Sequence, residues 1–225
     1  MRTAFFDLDG TLLDPQVGIL ACIRHALTTL NAPCPDAADL HQWIGPPLAE
    51  AFAHHLGPGP QVQRAVDLYR DRFATVGIYE NEVYPAIPDL LATLQSQDWS
   101  LYVVTAKPRV FAEKIVAHFQ LGHFFQGVYG SELDGTRARK GDLIAHVLQD
   151  LQMTAVAPVM VGDRHHDIHG AKQNGLAAIG VLWGYGSRQE LLAAGADYLC
   201  DRPEDVGDCL LSSPSGGRCS SGLIP

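Results

Sequence analysis

Thr3-Ala4-Phe5-Phe6-Asp7-Leu8-Asp9-Gly10-Thr11 is an apolar run that ends in two carboxylates and a glycine. Ala4 to Phe6 reads as a short strand buried on both faces, the kind found in parallel sheets. In open α/β sheets ligands sit beyond the carboxyl ends of such strands, so this segment puts Asp7 and Asp9 at the mouth of a site. Residues two apart in an extended chain point the same way, which lets both carboxylates address one ion or one substrate. Gly10 then allows a sharp turn. A plain surface turn is the competing reading, since Asp and Gly are turn formers. An EF-hand loop fails on spacing, because glycine and glutamate are needed where this chain has Leu12 and Gly18.

The chain has 225 residues, 47% of them hydrophobic, enough for one large or two small domains with a real core. A formal charge of -9 argues against general binding to nucleic-acid polymers or to a membrane surface, both of which need a basic face. With no basic-then-apolar leader and no apolar run of bilayer length, the expectation is a soluble, cytoplasmic protein. Cys22, Cys34, Cys200, Cys209 and Cys219 are odd in number and lack CxxC spacing, so they suggest neither a disulfide framework nor a zinc site. Residues 212–225 are rich in Ser, Gly and Pro and read as a flexible tail.

After Thr11 the pattern turns helical for a long stretch. Ile19, Leu20, Ile23, Leu27 and Leu30 recur at helical spacing, and further helices are expected over 36–44, 48–56 and 62–76. Consecutive helices with no intervening strand do not fit inside a βαβ unit, so residues 15–85 are read as a helical insert. From residue 86 to 211 helices alternate with strands at Leu101–Thr105, Gly127–Gly130, Val159–Val161, Ala177–Leu182 and Tyr198–Leu199. That alternation predicts parallel strands with right-handed crossovers, a doubly wound α/β core made of residues 1–14 and 86–211.

The later strand ends carry groups suited to phosphate chemistry. Val103-Val104-Thr105-Ala106-Lys107-Pro108 offers a hydroxyl and free backbone N–H groups, although Thr alone is also an ordinary strand residue. Lys140 stands in a basic turn, Arg137-Ala138-Arg139-Lys140, just before a helix. Val159-Met160-Val161-Gly162-Asp163-Arg164-His165-His166-Asp167 repeats the opening logic of a buried strand ending at carboxylates. Four converging aspartates would repel one another and raise their pKa values unless a hard divalent cation joined them.

With these stretches together, the chain resembles the haloacid dehalogenase superfamily of phosphatases. Its first motif, DxDGT, matches Asp7 to Thr11; its second matches Thr105, its third Lys140, and its fourth, GDxxxD, spans Gly162 to Asp167. The resemblance covers about residues 1–200, and the insert is similar to that family's small α-helical cap. It implies a Rossmann-like core and hydrolysis of a small phosphate ester with Mg²⁺. Asp7 would be the nucleophile forming an aspartyl-phosphate, Asp9 the general acid and base, and Thr105 and Lys140 the ligands of the phosphoryl oxygens. Leu8, Asp9, Ala106 and Lys107 would also contact the phosphate, and Asp7, Asp9 (through its carbonyl), Asp163 and Asp167 the metal.

Within the family the chain looks like the phosphoglycolate phosphatase and 5'-nucleotidase-like branch, with phosphoglycolate hydrolysis the leading expectation. A nucleoside monophosphatase and a broad sugar phosphatase are the alternatives. Gly45-Pro46-Pro47 falls where such caps carry specificity, with Gly45 the residue expected near substrate. Trp43 and Phe52 could stack on a base, Lys107 and Arg109 could hold a substrate carboxylate, and Arg164 and His165 could line the cleft mouth. The expected partner is a small phosphorylated metabolite, the expected state a monomer or homodimer. A phospho-receiver domain fits poorly in length, and a catalytically idle binding protein poorly with intact motifs. The three histidines near Asp163 are weaker metal candidates than the hard carboxylates.

Overall fold

The computed structural model describes residues 2–36, 39–40, 43–44, 47–153 and 157–212. The chain divides into two compact units, Met1–Leu12 with Val83–Pro225, and Leu13–Glu82. Strand β1 (Arg2–Phe6) opens the first; β2 (Leu13–Asp14) and β3 (Glu82–Val83) pair as a ribbon where the chain passes into and out of the second.

In the first unit β1 is joined by β4 (Trp99–Pro108), β5 (Gly127–Ser131), β6 (Val159–Gly162), β7 (Ala177–Val181) and β8 (Tyr198–Cys200). The sheet order is β5-β4-β1-β6-β7-β8. Every described pairing is parallel. Phe6 is in register with Val103 on one side and Val161 on the other, so β1 is central. Successive strands run outward from it first one way and then the other. This is the switch point of a doubly wound sheet, where ligands bind beyond the carboxyl ends of the strands.

Crossovers are made by α4 (Ile87–Ser96), α5 (Arg109–His118), α6 (Lys140–Asp150), α7 (His165–Gln173) and α8 (Arg188–Ala193), and α9 (Pro203–Leu211) follows the last strand, the helices being numbered after those of the second unit. Phe5, Val104, Met160 and Ala178 of the sheet pack against Leu143, Ile144 and Val147 of α6 and Ile168 and Ala171 of α7. Burial on both sheet faces explains why the strands read as continuous apolar runs. At the start of α6 the contact with α7 is very close: a β-carbon on Gly170 would lie 2.9 Å from Gly141 N and from Lys140 Cγ. Asn174 Nδ2 donates to Gly141 O (2.9 Å) and Gly170 O (2.8 Å), fastening the two helices together where Lys140 begins.

Besides the short ribbon β2–β3, two features differ from the sequence expectation. Strand β4 continues to Pro108, with a register shift against β5 between Thr105 and Pro108. Gly130 permits this, because a β-carbon there would meet Lys107 O at 2.5 Å. Helix α8 was not expected at all.

The second unit contains α1 (Gln16–Thr29), α2 (Leu48–Leu56) and α3 (Pro60–Thr75), with a 3₁₀ turn at Gly77–Tyr79. Its buried face uses Ile19, Leu20, Ile23 and Leu27, at the spacing legible in the sequence. Arg72 makes a two-pronged pair with Glu80 (2.8 and 3.1 Å) and tethers the turn to α3. Trp43 meets the fully buried Phe52 edge-on at 5.4 Å. Phe52 therefore belongs to the core of this unit and offers no stacking face to a base. The helix expected over 36–44 lies partly, and Gly45 wholly, outside the described residues.

Candidate active site

The site is assembled at the carboxyl ends of β1, β4 and β6. Asp7 N donates to Val161 O (2.9 Å), carrying the sheet ladder one residue past β1. Leu8 is fully buried, so alternation turns the side chains of its neighbours Asp7 and Asp9 away from that part of the core. Leu8 O accepts from Leu12 N (2.9 Å), closing a tight turn through Gly10 at φ 78°. Just past β6 stands Asp163, 0% exposed, and in the first turn of α7 Asp167, 1% exposed. Asp163 Oδ1 accepts from Thr11 Oγ1 (3.4 Å) and Oδ2 from Tyr185 N (2.8 Å). Asp167 Oδ2 accepts from Arg164 N (3.1 Å) at the start of α7. Gly162 is needed beneath it, since a β-carbon there would lie 2.3 Å from Asp167 Cγ.

Lys140, the first residue of α6, reaches into this acidic group. Its Nζ lies 2.9 Å from Asp7 Oδ1 and 2.6 Å from Asp167 Oδ1, and donates to Val104 O at 3.0 Å. Burial alone would lower the Lys140 pKa, but the Asp167 and Asp7 carboxylates outweigh it and hold the ammonium charged. Asp163 is raised well above the usual carboxylate range, by burial first and then by Asp167 and Asp7. Asp167 is pushed up to about 6 by burial, against the pull of Lys140 and with repulsion from Asp7.

Asp9 forms a second pair: its Oδ2 lies 2.8 Å from Lys107 Nζ. Its carboxyl is raised by burial, with Lys107 opposing. Its Oδ1 is buried with no hydrogen-bond partner among the described residues. Thr105 is buried, and its Oγ1 accepts from Lys107 N (3.2 Å), while Ala106 O accepts from Ser131 Oγ (2.8 Å). Thr105, Ala106 and Lys107 thus share the end of β4 next to β1. Arg109 does not join them: it pairs loosely with Glu113 (3.9 Å) and lines a cavity of about 200 Å³ with Tyr129, Glu132, Arg137, His146 and Asp150.

Asp7, Asp163 and Asp167 each offer a carboxylate oxygen, and these atoms lie within 4.8 Å of one another. Three buried carboxylates against the single ammonium of Lys140 leave two negative charges uncompensated. That residue, together with an all-oxygen donor set, fits a hard divalent cation. The side chain of Asp9 is outside this group, turned to Lys107.

Sequence reasoning missed a bracket around the acidic loop. Trp183 Nε1 donates to Thr11 O (3.1 Å), tying the segment after β7 to the turn after Asp9. Arg164 and His165 are fastened to Glu190, whose Oε1 lies 2.9 Å from Arg164 Nε and 2.7 Å from His165 Nδ1. The signal for α8 was present in Ser187-Arg188-Gln189-Glu190, a Ser-x-x-Glu helix start. Ser187 Oγ indeed accepts from Glu190 N at 3.1 Å.

A carboxylate just past the central strand of a doubly wound sheet, a buried lysine against it and two further buried carboxylates alongside suit the chemistry of phosphoryl groups. Residues 4–181 match the model of the haloacid dehalogenase-like hydrolases. A 5'-nucleotidase of Pseudomonas aeruginosa is 46% identical over 87% of this chain and 89% of its own. The tyrosine-protein kinase PtkA of Mycobacterium tuberculosis is 38% identical over 82% of this chain, which spans only 63% of that longer protein. Among solved structures, a predicted phosphatase from Clostridium acetobutylicum superposes with a TM-score of 0.89 at 36% identity, covering 94% of this chain and 99% of that one. The chain belongs to the haloacid dehalogenase-like hydrolase family, as a phosphatase. Among the described residues no helix is long and apolar enough to cross a membrane.

Proposed function

We propose that the protein is a Mg²⁺-dependent phosphomonoesterase that works through an aspartyl-phosphate on Asp7. The observation that carries this reading is Asp7 Oδ1 at 2.9 Å from Lys140 Nζ, beside the oxygens of Asp163 and Asp167. A carboxylate so placed has a fixed direction of attack. Asp7, Asp163 and Asp167 would hold Mg²⁺, with the Asp9 carbonyl. When bound, the cation neutralises charge on the transferring phosphoryl group.

An Asp7 oxygen forms the new bond to phosphorus as the ester P–O bond breaks, and Asp9 protonates the departing alcohol. Its carboxyl is raised by burial, which suits a group that must carry a proton. Water then attacks the aspartyl-phosphate, Asp9 takes a proton from it, and Asp7 is released with inorganic phosphate. Lys140 and Thr105 bind the phosphoryl oxygens in both steps, aided by backbone N–H groups at Leu8 and Ala106, while Lys107 N steadies the Thr105 hydroxyl. The helical unit Leu13–Glu82 is assigned the role of a cap that selects the leaving group.

A nucleoside 5'-phosphate, with the nucleoside as leaving group, is the better-supported substrate, because a relative sharing 46% of residues bears the name 5'-nucleotidase. The argument for phosphoglycolate weakens, since Lys107 is engaged by Asp9 and Arg109 lines a separate cavity. The test is phosphate release from nucleoside 5'-monophosphates, phosphoglycolate, sugar phosphates and phosphotyrosine, with Mg²⁺ or EDTA. Nucleotide hydrolysis that needs Mg²⁺ and disappears in Asp7→Asn is expected. Full activity in EDTA, or in Asp7→Asn, would remove the mechanism.

A further inference from the structure

We infer that Glu190 is a positioning residue for the acidic loop 163–167 and, resting on the cation site proposed above, sets how tightly that site takes its divalent ion. A single oxygen, Glu190 Oε1, receives three donors: Arg164 Nε at 2.9 Å, His165 N at 3.0 Å and His165 Nδ1 at 2.7 Å. The His165 contact places the ring proton on Nδ1, a tautomer assigned from the acceptor it faces. Both donor residues lie in the segment whose two ends are Asp163 and Asp167. Arg164 also spends its backbone N–H on Asp167 Oδ2 at 3.1 Å. The loop is thus fastened to Glu190 at its middle and carries one ligand carboxylate at each end.

The segment that leads into Glu190 backs the same loop. Tyr185 N holds Asp163 Oδ2 at 2.8 Å. A β-carbon on Gly186 would come within 1.9 Å of Asp163 O, so backbone lies directly on backbone there. Glu190 itself sits in the first turn of α8, N-capped by Ser187. Burial would raise its pKa, but His165 N–H and the Arg164 and His165 side chains outweigh that and bring it to about 2, so it remains an anion throughout the working range.

Asp163 and Asp167 repel each other and Asp7, and a loop carrying them tends to splay until a cation joins them. A clamp from outside holds the ligand oxygens together beforehand, so less ordering remains to be done when the ion binds. Such outer groups characteristically change metal affinity by about 10–100-fold when removed. Glu190 acts through Arg164 and His165 and not on a ligand directly, which places the expected effect near the lower end.

The experiment is calorimetric titration of the substrate-free full chain with Mg²⁺, for wild type, Glu190→Ala, Glu190→Gln and Ser187→Ala, alongside kcat as a function of Mg²⁺. Glu190→Ala is expected to weaken Mg²⁺ about tenfold, with kcat recovered to within about threefold at saturating Mg²⁺. Glu190→Gln keeps one acceptor and should fall between; it also serves if the alanine variant does not fold. Ser187→Ala removes the cap bond to Glu190 N but leaves the Glu190 carboxylate and its three donors in place, so it should lower thermal stability and leave Mg²⁺ affinity unchanged. A folded Glu190 variant binding Mg²⁺ within twofold of wild type overturns the inference, as does an equal loss in Ser187→Ala. Failure of wild type to bind Mg²⁺ would instead take down the site reading and this inference with it.

Discussion

Gly10 and Asp163 meet so closely that a β-carbon on the glycine would lie 2.3 Å from Asp163 Oδ2. The turn that carries Asp9 away from β1 therefore rests on one of the carboxylates from β6. The two acidic loops have a fixed spacing because no side chain stands between them.

Gly10→Ala combines two costs, a left-handed backbone at φ 78° and a clash with a buried carboxylate. Gly175→Ala carries only the first, since φ is 70° and no atom would lie within 4 Å of the new carbon. Urea unfolding should show about 1 kcal/mol lost in Gly175→Ala and at least 2 kcal/mol in Gly10→Ala, the latter with Mg²⁺ affinity also reduced. Equal losses in the two variants would mean that the contact with Asp163 relaxes freely.

Lys140→Met removes the ammonium while keeping the volume. Asp7 and Asp167 are then buried without their partner, a situation that costs about 3–5 kcal/mol in the metal-free protein at neutral pH. Near pH 5 the orphaned carboxylates can take up protons, so the loss should shrink. Phosphatase activity should be abolished at either pH. An unfolding penalty that is the same at pH 5 and pH 7.5 would show that packing, and not charge, is what Lys140 supplies.

The metal-free protein should lose stability as pH rises through the acidic range. Asp167 titrates near 6 and Asp163 is raised as well, whereas unfolded aspartates titrate near 3.9. Between about pH 4 and 6 the folded chain thus holds protons that the unfolded chain has released, and its stability declines as they leave. Mg²⁺ needs those carboxylates deprotonated, so its stabilising effect grows over the same window. Thermal denaturation with and without Mg²⁺ should show a small shift at pH 5 and a clearly larger one at pH 7.5. A shift independent of pH would argue that Mg²⁺ binds elsewhere.

How much of this was legible in the chain depends on whether the signal is local. Asp7, Asp163 and Asp167 stand out because each follows an apolar strand end directly or by a few residues, a pattern dictated by the sheet itself. The helical insert is visible because its apolar spacing is the core face of α1. Lys140 is different. Its basic turn marks it as a candidate for phosphate chemistry, but nothing there reveals that it points at Asp7, and its specific role came from the resemblance. The Lys107–Asp9 and Glu190–His165 pairs were not legible at all, because a pairing between distant segments leaves no periodicity in either one. Arg164 and His165 are accordingly read as lining the cleft mouth, and Lys107 as a ligand for phosphate or for a substrate carboxylate, from their places beside Asp163 and Thr105 alone. Helix α8, six residues long, was hidden behind the glycine-rich stretch before it.

Lys107 offers a test that separates substrate recognition from acid–base chemistry. Its ammonium lies 2.8 Å from Asp9 Oδ2 and lowers an Asp9 pKa that burial raises. Lys107→Met removes the opposing influence, so Asp9 should hold its proton to higher pH. In the proposed cycle Asp9 must be deprotonated to activate water in the second displacement. The acidic limb of the kcat profile should therefore move to higher pH, and kcat on that limb should fall for every ester alike. A ligand for a substrate carboxylate behaves otherwise: its loss raises KM for phosphoglycolate, spares nucleotides and leaves the pH profile in place. Measuring both esters across pH 5–9 in wild type and Lys107→Met distinguishes the two outcomes. The 2.8 Å pairing with Asp9 leads us to expect the first.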